Sequence, residues 1–135
     1  MALATQFTIG TGALVLAMQG IWAVIGPTPP PIIVHSITYD AGMITQDRTI
    51  TTAGPFKVVW EAAIIDAKTG RIVTGCSGSG AWDYPPGSLS PSFPVAEWVG
   101  NDACDLSPGV YVPMATYSAG EFRLVARGDA FEVTE

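Results

Sequence analysis

The chain holds few residues that could carry out acid–base or nucleophilic chemistry. His35 is the only histidine among 135 residues, and it lies in an alternating, strand-like stretch without an acid placed to orient it. Residues 75–80 include two serines, but neither has glycine both two residues before and two residues after it, the spacing of a hydrolase nucleophile. We therefore predict no catalytic residue and no enzymatic activity, because a reaction would need an acid–base pair.

Three side chains with oxygen atoms that could bind a cation, Asn101, Asp102 and Asp105, lie within five residues of each other. Such groups suit a hard cation, but their spacing does not match a calcium-binding loop, and a solvated turn accounts for them equally well. The sequence also lacks the Gly-Lys-Ser/Thr ending of a phosphate-binding loop. We predict no metal and no cofactor.

The two cysteines, Cys76 and Cys104, are predicted to form a disulfide. The bridge would close a long segment rich in glycine and proline, a constraint worth roughly 3–4 kcal/mol in the chain-entropy model. Two free buried thiols or a metal-binding pair are the alternatives, although other metal ligands are lacking nearby. Paired cysteines are typical of a domain outside the cytosol.

Aromatic residues are concentrated in the same segment, residues 76–104. They are Trp82, Tyr84, Phe93 and Trp98, and four prolines are interspersed among them. Aromatic- and proline-rich loops on a rigid scaffold are typical of binding surfaces. The alternative is that the rings fold back and cap the core. We predict an interaction surface for other protein subunits here.

A strand-rich scaffold must position these residues. The chain is 48% hydrophobic and 13% charged, with 15 Gly and 11 Pro, which favours strands and turns. Residues 32–135 are predicted to form an all-β domain, an antiparallel sandwich of about seven strands. Gly70 marks a hairpin turn. Strand candidates occupy 32–39, 43–52, 56–66, 71–74, 88–93, 110–117, 122–127 and 130–134. The glycines of 75–80 are interpreted as a flexible or bulged strand end, and 94–98 as one helical turn.

A short motif near the C-terminus suggests a class of sandwich. A Pro108-Gly109 turn leads into a strand with Tyr111 two residues later, Trp60 lies in the middle of the strongest strand, and residues 131–133 alternate inward and outward. This arrangement resembles immunoglobulin-like and fibronectin type III domains, in which the tyrosine hydroxyl reaches back to the preceding loop. Because neither cysteine lies two residues after Tyr111, the central disulfide of antibody domains is absent. The overall plan resembles small membrane-anchored Ig-like proteins, including phage and prophage ones, which implies a structural or binding role.

The first 26 residues are predicted to form a single transmembrane or assembly helix. Residues 7–25 are apolar, and at ~1.5 Å rise per residue they span about 28 Å, close to the hydrocarbon thickness of a bilayer. Residues 27–31 form a Pro-rich linker that ends the helix. A cleaved signal peptide and a buried helix of a larger assembly are the alternatives, but a signal peptide would carry a positive n-region.

Small residues predict that this helix packs against others. Ala13, Ala17 and Gly20 share one helix face, and Gln19 is placed to form a hydrogen bond across a contact. Small residues are common in membrane helices in general, which is the alternative explanation.

Charge and organisation together predict the function. A net charge of −6 with only six basic residues excludes a nucleic-acid binder. We expect a non-enzymatic, single-pass membrane protein with an extracytoplasmic head, a structural or interaction subunit of a membrane complex or virion. Its partners would be membrane lipid, other subunits and further copies of itself in a homo-oligomer. A pilin-like filament or virion protein with the helix in an oligomeric core is the alternative, and a small secreted enzyme or inhibitor is a third.

Overall fold

Two antiparallel sheets make up the part of the chain that the computed structural model describes, residues 29–135. The strands of this described part lie in one compact unit, Pro31–Glu135. Within the described range the elements are β1 (Ile32–Asp40), β2 (Met43–Ile50), β3 (Phe56–Asp66), β4 (Ile72–Tyr84), β5 (Gly87–Leu89), β6 (Ser92–Pro94), α1 (Val95–Val99), β7 (Gly109–Ala119), β8 (Phe122–Arg127) and β9 (Phe131–Val133). The predicted all-β, antiparallel architecture is confirmed.

The first sheet has the order β1–β2–β5, and β6 also pairs with β2. β5 pairs with the C-terminal end of β2 and β6 with its N-terminal end. Between them, the backbone N–H of Gln46 donates to the carbonyl of Pro91 at 3.0 Å. One edge of β2 is therefore covered by a single interrupted strand.

The second sheet has the order β9–β7–β3–β4, and β8 also pairs with β7. The N–H of Gly128 donates to the carbonyl of Pro113, while that of Asp129 donates to the carbonyl of Ile37 on β1. A Cβ at Gly128 would overlap the backbone of Ile37. Glycine is required here because β1 approaches the chain closely between β8 and β9, which joins the edges of the two sheets.

Turn residues explain the hairpins. Ala41 and Gly42 both have positive φ, as the tight turn between β1 and β2 requires. The carboxylate of Asp66 accepts the N–H of Lys68 at 2.8 Å, and Gly70 has φ +74°. The predicted hairpin with Gly70 in the left-handed region is thus confirmed between β3 and β4.

Apolar side chains from the facing sides of both sheets form the core. The largest fully buried ones include Ile32, Ile37 and Ile44 of the first sheet and Val58 and Ile64 of the second. At one end, the hydroxyl of Tyr111 donates to the carbonyl of Ser107 at 2.6 Å, so the predicted reach of this tyrosine to the preceding loop is confirmed.

Two predicted segments differ from the structure. The strand predicted over 71–74 continues to Tyr84 in its pairing with β3. A register shift between Ala63 and Ile65 lies beside Gly75, which has φ +80° and belongs to the glycines expected to form a flexible or bulged strand end. The single strand predicted over 88–93 is two strands, β5 and β6, separated at Pro91, whose ring nitrogen carries no proton to donate.

Candidate functional site

The four aromatic residues predicted as an interaction surface line one cavity, which we call the edge cavity. It has a volume of about 290 Å³ and lies between the sheets, next to β4 and β6. Trp82 is 62% exposed and Phe93 36%, Tyr84 is half-buried, and Trp98 of α1 is only 8% exposed. Trp82 and Phe93 therefore form an open mouth, whereas Trp98 packs in the core and forms the inner wall.

A row of small residues explains why the cavity exists. Ala62 on β3 pairs with Gly78 on β4 and with Ala115 on β7, and Ala62 and Ala115 line the cavity. Neighbouring strands place these residues side by side on the face that looks toward the first sheet. The two alanines consequently leave space between the sheet and β2, where larger side chains would fill a core.

Glycines on β4 and at the end of α1 allow the helix to pack closely against the strand. A Cβ at Gly78 would overlap the carbonyl oxygen of Val99, and one at Gly80 would lie 2.9 Å from the ring of Trp60. Gly100 ends α1 in the left-handed region, with φ +75°. The helix and the indole of Trp60 can approach the strand only because these positions are glycine.

The predicted disulfide between Cys76 and Cys104 is present, with 4.4 Å between the Cα atoms. It connects β4 to the chain that follows α1. Beside it, the amide of Asn101 donates to the carbonyl of Ser77 at 3.1 Å, and its side-chain oxygen accepts the N–H of Ala103 at 3.0 Å. Asn101 thus holds this segment on β4, and residues 29–135 contain no group of three His, Cys, Asp or Glu side chains that could hold a metal.

Polar side chains occupy the inner end of the edge cavity. Gln46 donates a hydrogen bond from its amide to the hydroxyl of Tyr117 and accepts one from the indole N–H of Trp98 at 3.2 Å. The guanidinium carbon of Arg48 lies 4.3 Å from the centre of the Tyr84 ring. Gln46 and Arg48 are both buried, which makes this the polar centre of the sandwich.

Burial keeps the two tyrosines of the cavity protonated. It raises the pKa of Tyr117 to about 12, despite the hydrogen bond from Gln46, which lowers it. Burial also raises the pKa of Tyr84, against the opposing effect of the Arg48 charge. At neutral pH both hydroxyls are uncharged, so each can donate a hydrogen bond.

Gln46, Arg48, Trp60 and Tyr117 were not among the residues predicted for this surface. The sequence carries no signal for Gln46 and Arg48, because both are polar and have polar neighbours on β2. Only their burial in the structure shows that they point inward together with Ile44 and Ile50. The lone histidine is remote from this site: His35 is exposed on β1, with its Nε2 atom 2.8 Å from the hydroxyl of Thr49.

The predicted helix and its packing residues, Ala13, Ala17, Gln19 and Gly20, lie outside the described residues. Across residues 29–135, no helix has the length and hydropathy needed to cross a bilayer. No protein-family model matches the chain, and no curated protein is similar to it in sequence.

Proposed function

We propose that this chain is a non-enzymatic interaction subunit, anchored in a membrane by residues 1–26 and contacting neighbouring subunits through the mouth of the edge cavity. The β-sandwich is an Ig-like head outside the cytoplasm, on a membrane complex or a virion. Trp82 and Phe93 form the contact surface.

The observation that carries this proposal is the convergence of Trp82, Tyr84, Phe93 and Trp98 on one open cavity. An indole exposed to 62% loses most of the benefit of burial in the isolated chain. Tryptophan and tyrosine are enriched among the residues that dominate binding energy at protein interfaces, where a partner covers them and removes them from water. The disulfide beside the cavity supports the same view, since it fixes the segment that carries the inner wall.

The order of the strands and the tyrosine hydrogen bond support an Ig-like class. A three-strand layer, with β5 and β6 as its interrupted third strand, faces a layer ordered β9/β8–β7–β3–β4. Tyr111 lies near the start of β7 and bonds to the backbone four residues earlier. A tyrosine in this position is a hallmark of Ig-like sandwiches.

The membrane location draws support from the sequence and the disulfide. Residues 7–25 contain no charged side chain, and the Pro-rich stretch that follows would separate an anchor from the head. A disulfide persists in an oxidising compartment, which favours an extracytoplasmic head.

Photo-crosslinking in natural membranes tests the proposal. The full chain carries the photoreactive residue benzoylphenylalanine in place of Trp82, and membranes are washed at high salt and alkaline pH before irradiation. A matched control places the same group at Val125, which is 51% exposed on β8, at the opposite edge of the second sheet.

We expect the chain to stay with the washed membranes and position 82 to give a discrete adduct that position 125 does not. An adduct of twice the chain's mass would identify a second copy as the neighbour, and another mass a different subunit. Release of the chain by the wash would contradict the anchor. Equal labelling from both positions would contradict the contact surface.

A further inference from the structure

Arginine is an unusual residue for the inner face of a sandwich strand. Ile44, Gln46, Arg48 and Ile50 are all buried on β2, and Arg48 is only 8% exposed. A buried charge is costly unless it is paired, and buried arginines therefore normally face a carboxylate.

No carboxylate within residues 29–135 forms an ion pair with Arg48. Its Nε atom is buried without a hydrogen bond, and the ion pair recorded within residues 29–135 joins Lys57 to Asp83 instead. The ring of Tyr84 under the guanidinium offsets part of the cost through a cation–π contact. A ring does not neutralise the guanidinium charge, so the site holds a buried cation without a paired anion.

The hydrogen-bonding groups around Arg48 point to the same kind of ligand. The oxygen of Gln46 already accepts the indole N–H of Trp98, and its nitrogen donates to Tyr117. Tyr117 therefore keeps its own hydroxyl proton for another acceptor. The hydrogen-bonding capacity left around Arg48 and Tyr117, at the inner end of the cavity, is thus donor capacity beside a positive charge, which suits a carboxylate.

The walls indicate what else the ligand carries. Trp60, Trp82 and Phe93 give the cavity aromatic sides, and its volume of about 290 Å³ is at the small end for ligand sites. Glu61 and Glu97 also line it and are exposed. Their charges disfavour a ligand with a second anionic group.

We propose that the edge cavity binds a monocarboxylate carried on a compact aromatic or apolar group, with the carboxylate at Arg48 and Tyr117 and the apolar group between the aromatic walls. This proposal rests on the proposed function, which identifies the edge cavity as the binding site. The chemistry is shared by a free aromatic acid and by a partner chain that ends in an aromatic residue.

Ligand-observed fluorine NMR with the full chain in detergent micelles tests this inference. The probes are para-fluorophenylacetate and its uncharged amide, followed by short peptides ending in phenylalanine as the free acid or the amide. We expect the acids to bind saturably and at least tenfold more tightly than the amides, because a charge-assisted hydrogen bond is lost in the amide. Tighter binding of para-fluorophenylacetate would identify the ligand as a free aromatic acid, and tighter binding of the peptide acid would identify it as the C-terminus of a partner chain.

Variants locate the carboxylate. Arg48→Met is expected to weaken binding of the acid at least tenfold and to leave binding of the amide unchanged. Arg48→Lys, which keeps the charge, is expected to weaken binding of the acid by a smaller factor. The control Arg123→Met, which replaces an exposed arginine on β8, is expected to change neither affinity. Near-ultraviolet circular dichroism verifies that each variant is folded, and Arg48→Lys serves as the test should Arg48→Met be unfolded.

Equal binding of acid and amide, or an Arg48 variant that binds the acid like wild type, would overturn the inference. If either result is obtained and position 82 still forms a crosslink, the carboxylate specificity is contradicted but the proposed interaction surface is not. Binding of the free acid without any crosslink would instead support the cavity chemistry and contradict the proposed function.

Discussion

Replacing Cys76 and Cys104 together with serine is expected to lower the free energy of unfolding by about 3–4 kcal/mol. The disulfide closes a loop with a sequence separation of 28, which contains most of β4, β5, β6 and α1. Without it, the unfolded chain gains freedom that the folded chain lacks. Denaturation in urea, followed by tryptophan fluorescence, measures the difference.

Reduced wild-type protein is the control for this variant, and it should unfold at the same urea concentration as the double serine variant. The effect should also be visible at the edge cavity, because the bridge and Asn101 both hold the segment after α1 on β4. A loss below about 1 kcal/mol would mean that the glycine-mediated packing of α1 holds this segment unaided.

Raising the pH from about 10 to about 12 is expected to remove roughly 2–3 kcal/mol of stability through Tyr117. Its folded-state pKa is raised from 10.0 to about 12. Below pH 10 the hydroxyl is neutral in both states, and its contribution is fully present. Above that, the unfolded chain loses the proton first, so stability falls by about 1.4 kcal/mol per pH unit until the folded pKa is reached.

The free energy of unfolding measured at several alkaline pH values, for wild type and for Tyr117→Phe, checks this expectation. The variant should lose stability less steeply, with the remaining slope including Tyr84, whose pKa is also raised by burial. Identical slopes for the two proteins would show that Tyr117 does not titrate as a buried group.

Local chemistry made much of the scaffold predictable from the sequence. The strand bounds at Phe56–Asp66 and Phe122–Arg127 follow from continuous apolar or alternating runs, and the Gly70 turn follows from its demand for positive φ. The pairing of the cysteines was also predictable, because a long segment between them has much to gain from a bridge.

The cavity itself could not be predicted, because it depends on register. That Gly78, Ala62 and Ala115 form one row of small residues follows only once three strands are paired. The length of the strand beyond Gly75 could not be predicted for the same reason, because the sequence alone does not distinguish a glycine that packs against a neighbouring backbone from a glycine in a loop. Arg48 escaped notice because a charged residue at an inward position contradicts the pattern used to assign the face.

The central claim is that the buried cation of the edge cavity, Arg48, serves recognition and not stability. The most direct test is the free energy of unfolding of Arg48→Met compared with wild type in the absence of ligand. Methionine keeps an apolar stem that reaches about as far as the Nε atom, and it removes the charge together with the unpartnered Nε. The account predicts a variant as stable as wild type or more stable, by up to about 2 kcal/mol. A variant less stable than wild type would contradict it, because Arg48 would then be a structural residue of the core.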